Sequence, residues 1–155
     1  MTLATALKDV IQGAIVIKGT GNTETVQADG SDIFLTAIVT GYGETNPSVD
    51  LAGSGEPVSG VIIEEQFPYA VDLDKDSDDC FDDDQWLGMY VPESGDLLYL
   101  TVATASSIAK DNWFKASGGF IVTSAKADAL GLCLEAITGI SATEQITLCR
   151  WGVDA

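Results

Sequence analysis

The sequence predicts a mainly β protein, a small antiparallel β-barrel or sandwich that begins with a short N-terminal helix or arm. Short runs rich in Val, Ile, Thr and aromatic residues alternate with clusters of Gly, Asn, Asp and Ser, a pattern typical of strands and turns. No stretch between these runs has the length and period of the crossover helices that connect parallel strands. The chain has 155 residues, of which 46% are apolar, so one domain can bury a core of its own.

The N-terminal segment differs from the rest of the chain. Leu3, Leu7, Val10 and Ile11 recur at helical spacing, and Gly13 follows where such a helix would end. A helix this short is marginal on its own. The segment is therefore either a short helix or an arm that becomes ordered only against a neighbour.

The remainder of the chain is predicted to form strands joined by turns. We divide the protein into an arm or short helix at residues 1–12 and a single β-rich domain at residues 13–155, with an acidic loop at 72–84. The predicted strands cover residues 14–18, 24–28, 33–40, 58–65, 87–91, 97–104, 120–124, 130–137 and 145–151. Residues 19–22 have the composition of a hairpin loop and Asp29-Gly30 that of a turn, so the first three strands are predicted to form a β-meander.

Other segments complete the predicted architecture. Residues 41–57 contain two prolines and several glycines, which predicts a surface loop between strands. Residues 106–113 can hold a single helical turn. The strands at 130–137 and 145–151 place alternate residues on opposite faces, which is typical of half-buried antiparallel strands.

Charge and composition exclude several classes of function. Seven Lys and Arg residues stand against 24 Asp and Glu residues, so the formal net charge is −17 and the pI is near 4.1. This charge repels phosphate backbones and anionic lipids, so we expect neither nucleic acid nor a membrane as partner. The chain has no histidine, which excludes Ser/His/Asp and Cys/His nucleophiles and imidazole metal sites. We expect no enzyme, and we assign no catalytic, cofactor-binding or metal-binding residue and no cofactor.

The three cysteines do not form a recognisable framework. Cys133 and Cys149 fall in apolar runs and are predicted to be small buried thiols. Cys80 lies among aspartates, which would raise its pKa and make it a poor nucleophile. The N-terminus has neither a basic leader nor an unbroken apolar region, and no stretch approaches the roughly 18 apolar residues of a membrane span. We expect a protein without a secretion signal of its own.

The acidic loop at residues 72–84 permits two interpretations. Part of it has the spacing of a calcium-binding loop, with positions one, three, five, seven and twelve occupied by Asp72, Asp74, Asp76, Asp78 and Asp83. However, Ser77 occupies the position where the sharp turn favours Gly, and the flanking sequences resemble strands or loops rather than helices. We favour a solvated acidic surface loop over a calcium site.

The three tryptophans have different sequence neighbours. Trp86 and Trp151 are predicted to pack in the core or at a barrel end. Trp113 precedes Phe114 in an apparent loop or strand end. Because exposed tryptophans mark sugar or protein contacts, Trp113 is the predicted interface residue.

Three motifs follow one another along the chain: a Gly-Asp step into a strand at residues 95–99, an ASGG turn at 116–122 and a Gly-x-x-Leu-Glu-Ala strand at 130–136. In this order of motifs, most of the chain resembles the small head decoration proteins of tailed viruses. Residues 13–17 and 55–61 are similar to the first part of the same family. The acidic loop departs from the family pattern.

The resemblance implies a structural virion protein that binds the outside of an icosahedral capsid and stabilises it by clamping neighbouring major capsid subunits. It further implies a homotrimer whose partner is the major capsid protein, located on the outer surface of the virion and made in the host cytoplasm. Residues 1–12 could order on the capsid by adding a strand to an exposed edge. An alternative is a Ca²⁺-dependent binding module or adhesin head that uses the acidic loop, with Trp113 against a sugar.

Overall fold

The computed structural model describes residues 15–65, 80–102, 108–135 and 145–153. This part of the chain is built almost entirely of β-strands, with one 3-10 turn at Lys126–Asp128 and no α-helix. The strands are β1 (Val16–Lys18), β2 (Asn22–Ala28), β3 (Ile38–Thr40), β4 (Ser48–Leu51), β5 (Gly60–Glu65), β6 (Trp86–Val91), β7 (Leu97–Val102), β8 (Trp113–Ser117), β9 (Phe120–Ser124), β10 (Gly131–Cys133) and β11 (Gln145–Trp151). The mainly β fold is therefore confirmed, and it takes the form of two closed barrels.

The first barrel contains five strands in the order β2-β4-β3-β5-β6. It closes where β6 pairs antiparallel with β2, from Asn22 opposite Val91 to Gln27 opposite Trp86. Inward-facing residues such as Val26 and Met89 are fully buried. Closure removes most open strand edges, although β4 pairs only with Gln27 and Ala28 of β2.

The second barrel consists of β7, β11, β10, β8 and β9, and it closes through a short parallel pairing of β9 with β7 at Ile121 and Val102. Strand β1 lies along the first half of β7, with Val16 opposite Leu98. The predicted alternation in β11 is confirmed over residues 147–150. Thr147 and Cys149 are buried, whereas the intervening Leu148 is only half-buried.

The barrels pack against each other through the turn between β8 and β9. Gly119 donates its N–H to the Ala52 carbonyl at 3.0 Å and accepts the Ile38 N–H at 2.9 Å. Next to it, the rings of Phe34 and Phe120 stack with centroids 4.5 Å apart. One continuous hydrophobic cluster includes residues of both barrels, so the two share a core.

Several predicted connections are wrong. Strands β1 and β2 do not form a hairpin or open a meander, because β1 pairs with β7 in the second barrel whereas β2 pairs with β4 and β6 in the first. The glycines between them allow the chain to cross over. A Cβ atom on Gly21 would lie 2.1 Å from the Val91 carbonyl oxygen, so the connection passes directly over β6.

Three further corrections concern strands. The predicted loop at 41–57 contains β4, and β8 begins at the end of the predicted helical turn at 106–113. Most strand pairings are antiparallel as predicted, but β2 pairs parallel with β4 and β9 parallel with β7. The N-terminal helix or arm at residues 1–12 lies outside the described residues.

Candidate interaction surface

The end of the acidic loop is held on the rim of the first barrel. Phe81 is buried, and its N–H donates to the Ile33 carbonyl at 2.7 Å. Farther along, Ala28 and Asp84 face each other: the Ala28 carbonyl accepts the Asp84 N–H at 2.9 Å, and the Ala28 N–H donates to the Gln85 carbonyl at 2.9 Å. These bonds fix the backbone that presents the acidic side chains.

A group of exposed aspartates surrounds this segment. We call it the acidic rim, and it consists of Asp29, Asp32, Asp82, Asp83 and Asp84. The Asp83 Oδ1 atom accepts the Gly30 N–H at 2.8 Å, which links the two segments of the rim. Asp84 has a positive φ of 63°, a conformation that aspartate tolerates better than most residues. The rim therefore concentrates negative charge on a backbone that is held in place.

Trp86 lies beside the acidic rim as the first residue of β6, and 39% of its surface is exposed. This tryptophan was predicted to pack in the core or at a barrel end; it lies at a barrel end, where β6 begins before the buried Leu87, and not in the core. An exposed tryptophan next to fixed charges is typical of a contact site for another protein.

The other two tryptophans are less exposed. Trp113, the predicted interface residue, is half-buried, with the Lys126 ammonium 5.4 Å from its ring centroid. Phe114 is fully buried and meets the half-buried Trp151 edge to face at 6.1 Å. Trp151 thus packs against the core as predicted, whereas the pairing of Trp113 with Phe114 offers only one partly accessible ring.

The calcium-binding pattern is only partly described by the structure. Asp72, Asp74, Asp76 and Asp78 lie outside the described residues, and Asp83 uses one carboxylate oxygen to cap Gly30. The segment after Asp83 continues into a strand, unlike the helix that follows the loop of an EF-hand. Calcium binding by this loop stays a prediction.

A buried carboxylate holds the crossing between the barrels. The Asp96 side chain accepts the Tyr90 O–H at 2.6 Å, the Glu93 N–H at 2.9 Å and the Thr20 N–H at 3.0 Å. Burial raises the pKa of Asp96, but these hydrogen bonds outweigh it and lower the pKa below the ordinary value. Burial and the bond to Asp96 raise the pKa of Tyr90. This cluster is structural, and the sequence signalled it only through the Gly-Asp step at Gly95-Asp96.

An open groove of about 450 Å³ lies between the two barrels. Its polar lining includes Glu56, Lys115 and Asp128. Glu56 and Asp128 are exposed, and Glu56 accepts the Gly53 N–H at 3.0 Å. Since neither carboxylate is desolvated, the groove offers no evident acid and base pair. The absence of enzymatic activity stays a prediction.

Two of the three cysteines are buried as predicted. Cys133 and Cys149 are fully buried, whereas Cys80 is exposed. In the described portion of the chain, no three carboxylates or thiols are close enough to hold a metal ion. The same portion contains no helix long and apolar enough to span a bilayer.

Comparison with known proteins finds a likeness of fold. No family model matches the chain, and no curated protein matches it significantly. Among solved structures, the fold is similar to the N base of head fiber gp8.5 from bacteriophage phi29, with a TM-score of 0.54. The match has 11% sequence identity and covers 86% of this chain and 96% of that chain. At this identity the likeness shows a shared fold over nearly the whole of both chains.

Proposed function

We propose that this protein is a structural component of a virion, which binds the outside of an icosahedral capsid and stabilises it by clamping neighbouring major capsid subunits. The observation that supports this most is the fold shared with the phi29 head fiber base over most of both chains. A head fiber base is itself a virion component. The resemblance of the sequence to head decoration proteins supports the same class independently.

The surface chemistry fits a coat protein that acts from outside the shell. A net charge of −17 disfavours contact with packaged nucleic acid, because like charges repel over the Debye length. In the described residues most strands are paired on both sides, although the outer edge of β1 and the part of β2 before Gln27 lack a second strand partner. The protein would therefore bind chiefly through exposed side chains.

The proposed contact surface is the acidic rim together with Trp86. Its capsid partner would carry basic residues opposite the rim and an apolar depression for the indole ring, since buried aromatic anchors supply much of the energy at such contacts. Repeated many times over a shell, weak contacts of this kind bind through avidity. We also propose that the subunits form homotrimers and that residues 1–12 order on the capsid, as the resemblance implies.

Sedimentation with undecorated heads tests the contact surface. Trp86→Ala is expected to reduce the amount of protein that sediments with heads by at least tenfold at limiting concentration, because it removes the anchor. Ile17→Ala is the matched control: Ile17 is the other large exposed apolar residue in the described part, with 52% of its surface exposed, and it lies on β1 outside the acidic rim.

The same assay separates the general proposal from the specific surface. If the wild-type protein fails to sediment with heads, the capsid function is wrong. If the wild type binds but Trp86→Ala binds equally well, the function stands and the assignment of this surface is wrong. Circular dichroism of each variant confirms that it is folded.

A further inference from the structure

Two buried cysteines meet across neighbouring strands of the second barrel. In the register of β10 and β11, Cys133 stands directly opposite Cys149. Both side chains are fully buried, and both lie on the inward face of the sheet. The sequence does not show this contact, because the two residues are separated by the whole connection between the strands.

The hydrogen bonds on either side define the type of pair. The Leu134 N–H donates to the Leu148 carbonyl at 2.8 Å, and the Gly152 N–H donates to the Leu130 carbonyl at 2.7 Å. Hydrogen-bonded pairs alternate with non-hydrogen-bonded pairs in an antiparallel ladder, so Cys133 and Cys149 form a non-hydrogen-bonded pair. Such pairs have Cα atoms about 4.5 Å apart, which lies within the range of about 4.4–6.8 Å found across disulfides.

We infer that Cys133 and Cys149 form an intramolecular disulfide when the folded protein encounters a small peroxide. The inference does not depend on the proposed capsid function. It assigns a covalent modification site to the interior of the second barrel, where the bond would join the β10 and β11 strands.

The environment favours Cys133 as the sulfur that reacts first. A hydrogen bond from the Cys149 thiol lowers the pKa of Cys133, whereas burial raises the pKa of Cys149 well above its ordinary value. Thr147 lies beside the pair, with its hydroxyl 3.6 Å from the Cys133 sulfur. Cys133 is the last residue of β10, and Glu135 two residues later is exposed, which places the cysteine pair close to the surface end of the strand.

The chemistry balances with hydrogen peroxide as the oxidant. The Cys133 thiolate attacks one peroxide oxygen, the O–O bond breaks, and hydroxide leaves as water with the proton that Cys133 lost. The resulting sulfenic acid is attacked by the Cys149 sulfur, the S–O bond breaks, and a second water leaves with the Cys149 proton. Two thiols are oxidised by two electrons to one disulfide, and one peroxide is reduced to two waters.

Mass spectrometry of the folded full chain tests this inference. After treatment with hydrogen peroxide, the intact mass is expected to fall by two hydrogens, with loss of two alkylatable thiols and full recovery on reduction. Trypsin leaves both cysteines in one peptide, because no Lys or Arg lies between them. Cleavage at Glu135 and Glu144, which lie between the cysteines, should give two fragments joined only by the disulfide.

Two variants identify the sulfurs involved. Cys80→Ser removes the third thiol and should still lose two alkylatable thiols on oxidation, whereas Cys149→Ser should form no intramolecular link. The inference is overturned if Cys133 and Cys149 remain alkylatable in the treated wild type, if each is oxidised to a sulfinic acid without a link, or if the link joins Cys80. The wild-type result stands even where a variant fails to fold.

Discussion

At the scale of single residues, buried polar side chains fix the places where the barrels meet. Thr36 is fully buried and has a positive φ of 78°, a conformation that is rare for a β-branched residue and costs about 1–3 kcal/mol. Its hydroxyl is hydrogen-bonded to the Thr101 hydroxyl, and its N–H donates to the Ile62 carbonyl at 2.9 Å. The hydroxyl pair connects the first barrel to β7 of the second, and the bond to Ile62 holds the strained backbone against β5.

A double-mutant cycle tests this hydroxyl pair. Thr36→Val and Thr101→Val each leave one buried hydroxyl without its partner, so each is expected to lower the free energy of unfolding by about 1–3 kcal/mol. The double variant should be less destabilised than the sum of the two single variants, because neither hydroxyl remains. Urea denaturation measures all four proteins, and strictly additive losses would contradict the pairing.

The Asp96 cluster predicts a specific dependence of stability on pH. Because its folded pKa lies below the unfolded value, the contribution of Asp96 is fully present above the unfolded pKa and is lost as the pH falls through the folded pKa. Asp96→Asn should be less stable than wild type at neutral pH by about 2 kcal/mol. The difference in unfolding free energy between the two proteins should shrink as the pH falls below about 4.

Urea titrations of wild type and Asp96→Asn between pH 7 and pH 2 measure this difference directly. Other carboxylates contribute equally to both proteins, so subtracting the two curves removes their effect. If the difference in unfolding free energy stays constant down to pH 2, the pKa of Asp96 does not differ between the folded and unfolded states. Tyr90→Phe, which removes one of the donors to Asp96, should give a smaller loss at neutral pH than Asp96→Asn.

At the scale of elements, the turn between β8 and β9 joins the two barrels. Gly119 has a φ of +84°, and a Cβ atom there would lie 2.6 Å from the Leu51 Cδ2 atom. Gly118 next to it also has a positive φ of 59°, but a Cβ atom there would meet nothing within 4 Å. Both glycines therefore adopt a backbone conformation unfavourable for other residues, but only Gly119 is also packed too closely to accept a side chain.

Alanine at each position distinguishes these effects. Gly118→Ala should lower the free energy of unfolding by about 1 kcal/mol, because only the backbone is strained. Gly119→Ala should cost more, about 3 kcal/mol, because it adds a clash within the shared core. Thermal melting of both variants provides the measurement. Equal losses of unfolding free energy would mean that close packing at Gly119 does not contribute to the contact between the barrels.

Local sequence patterns predicted most strands but not their partners. Alternating residues and turn signals indicated β2, β5, β6, β7, β9 and β11 because they depend on neighbouring residues. Strand β4 was missed because its four residues lie among turn-forming glycines and prolines. The crossing from β1 to β2 was missed because its composition equals that of a hairpin turn, while its path depends on distant contacts with Tyr90 and Asp96.

The candidate surface was predictable only in part. The acidic segment was evident from its aspartates, and its last residues do lie on the surface. The exposure of Trp86 depends on where β6 begins, and the contact between Cys133 and Cys149 depends on strand register. Both are set by tertiary pairing, which a single sequence does not reveal.

At the scale of the whole molecule, the protein consists of two closed barrels that share a core. Its net charge of −17 makes the surface strongly acidic. Such a particle suits binding by side chains to a repeated partner rather than chemistry in a pocket. The central claim is therefore the position of this protein on a capsid. Residues of the acidic rim and Trp86 should face the shell.

Electron cryomicroscopy of heads with and without added protein tests that claim most directly. We predict new density on the outer surface, large enough for the two barrels, placed where neighbouring major capsid subunits meet and with the Trp86 end of β6 against the shell. Heads that show no added density, or density confined to the inner surface, would contradict it.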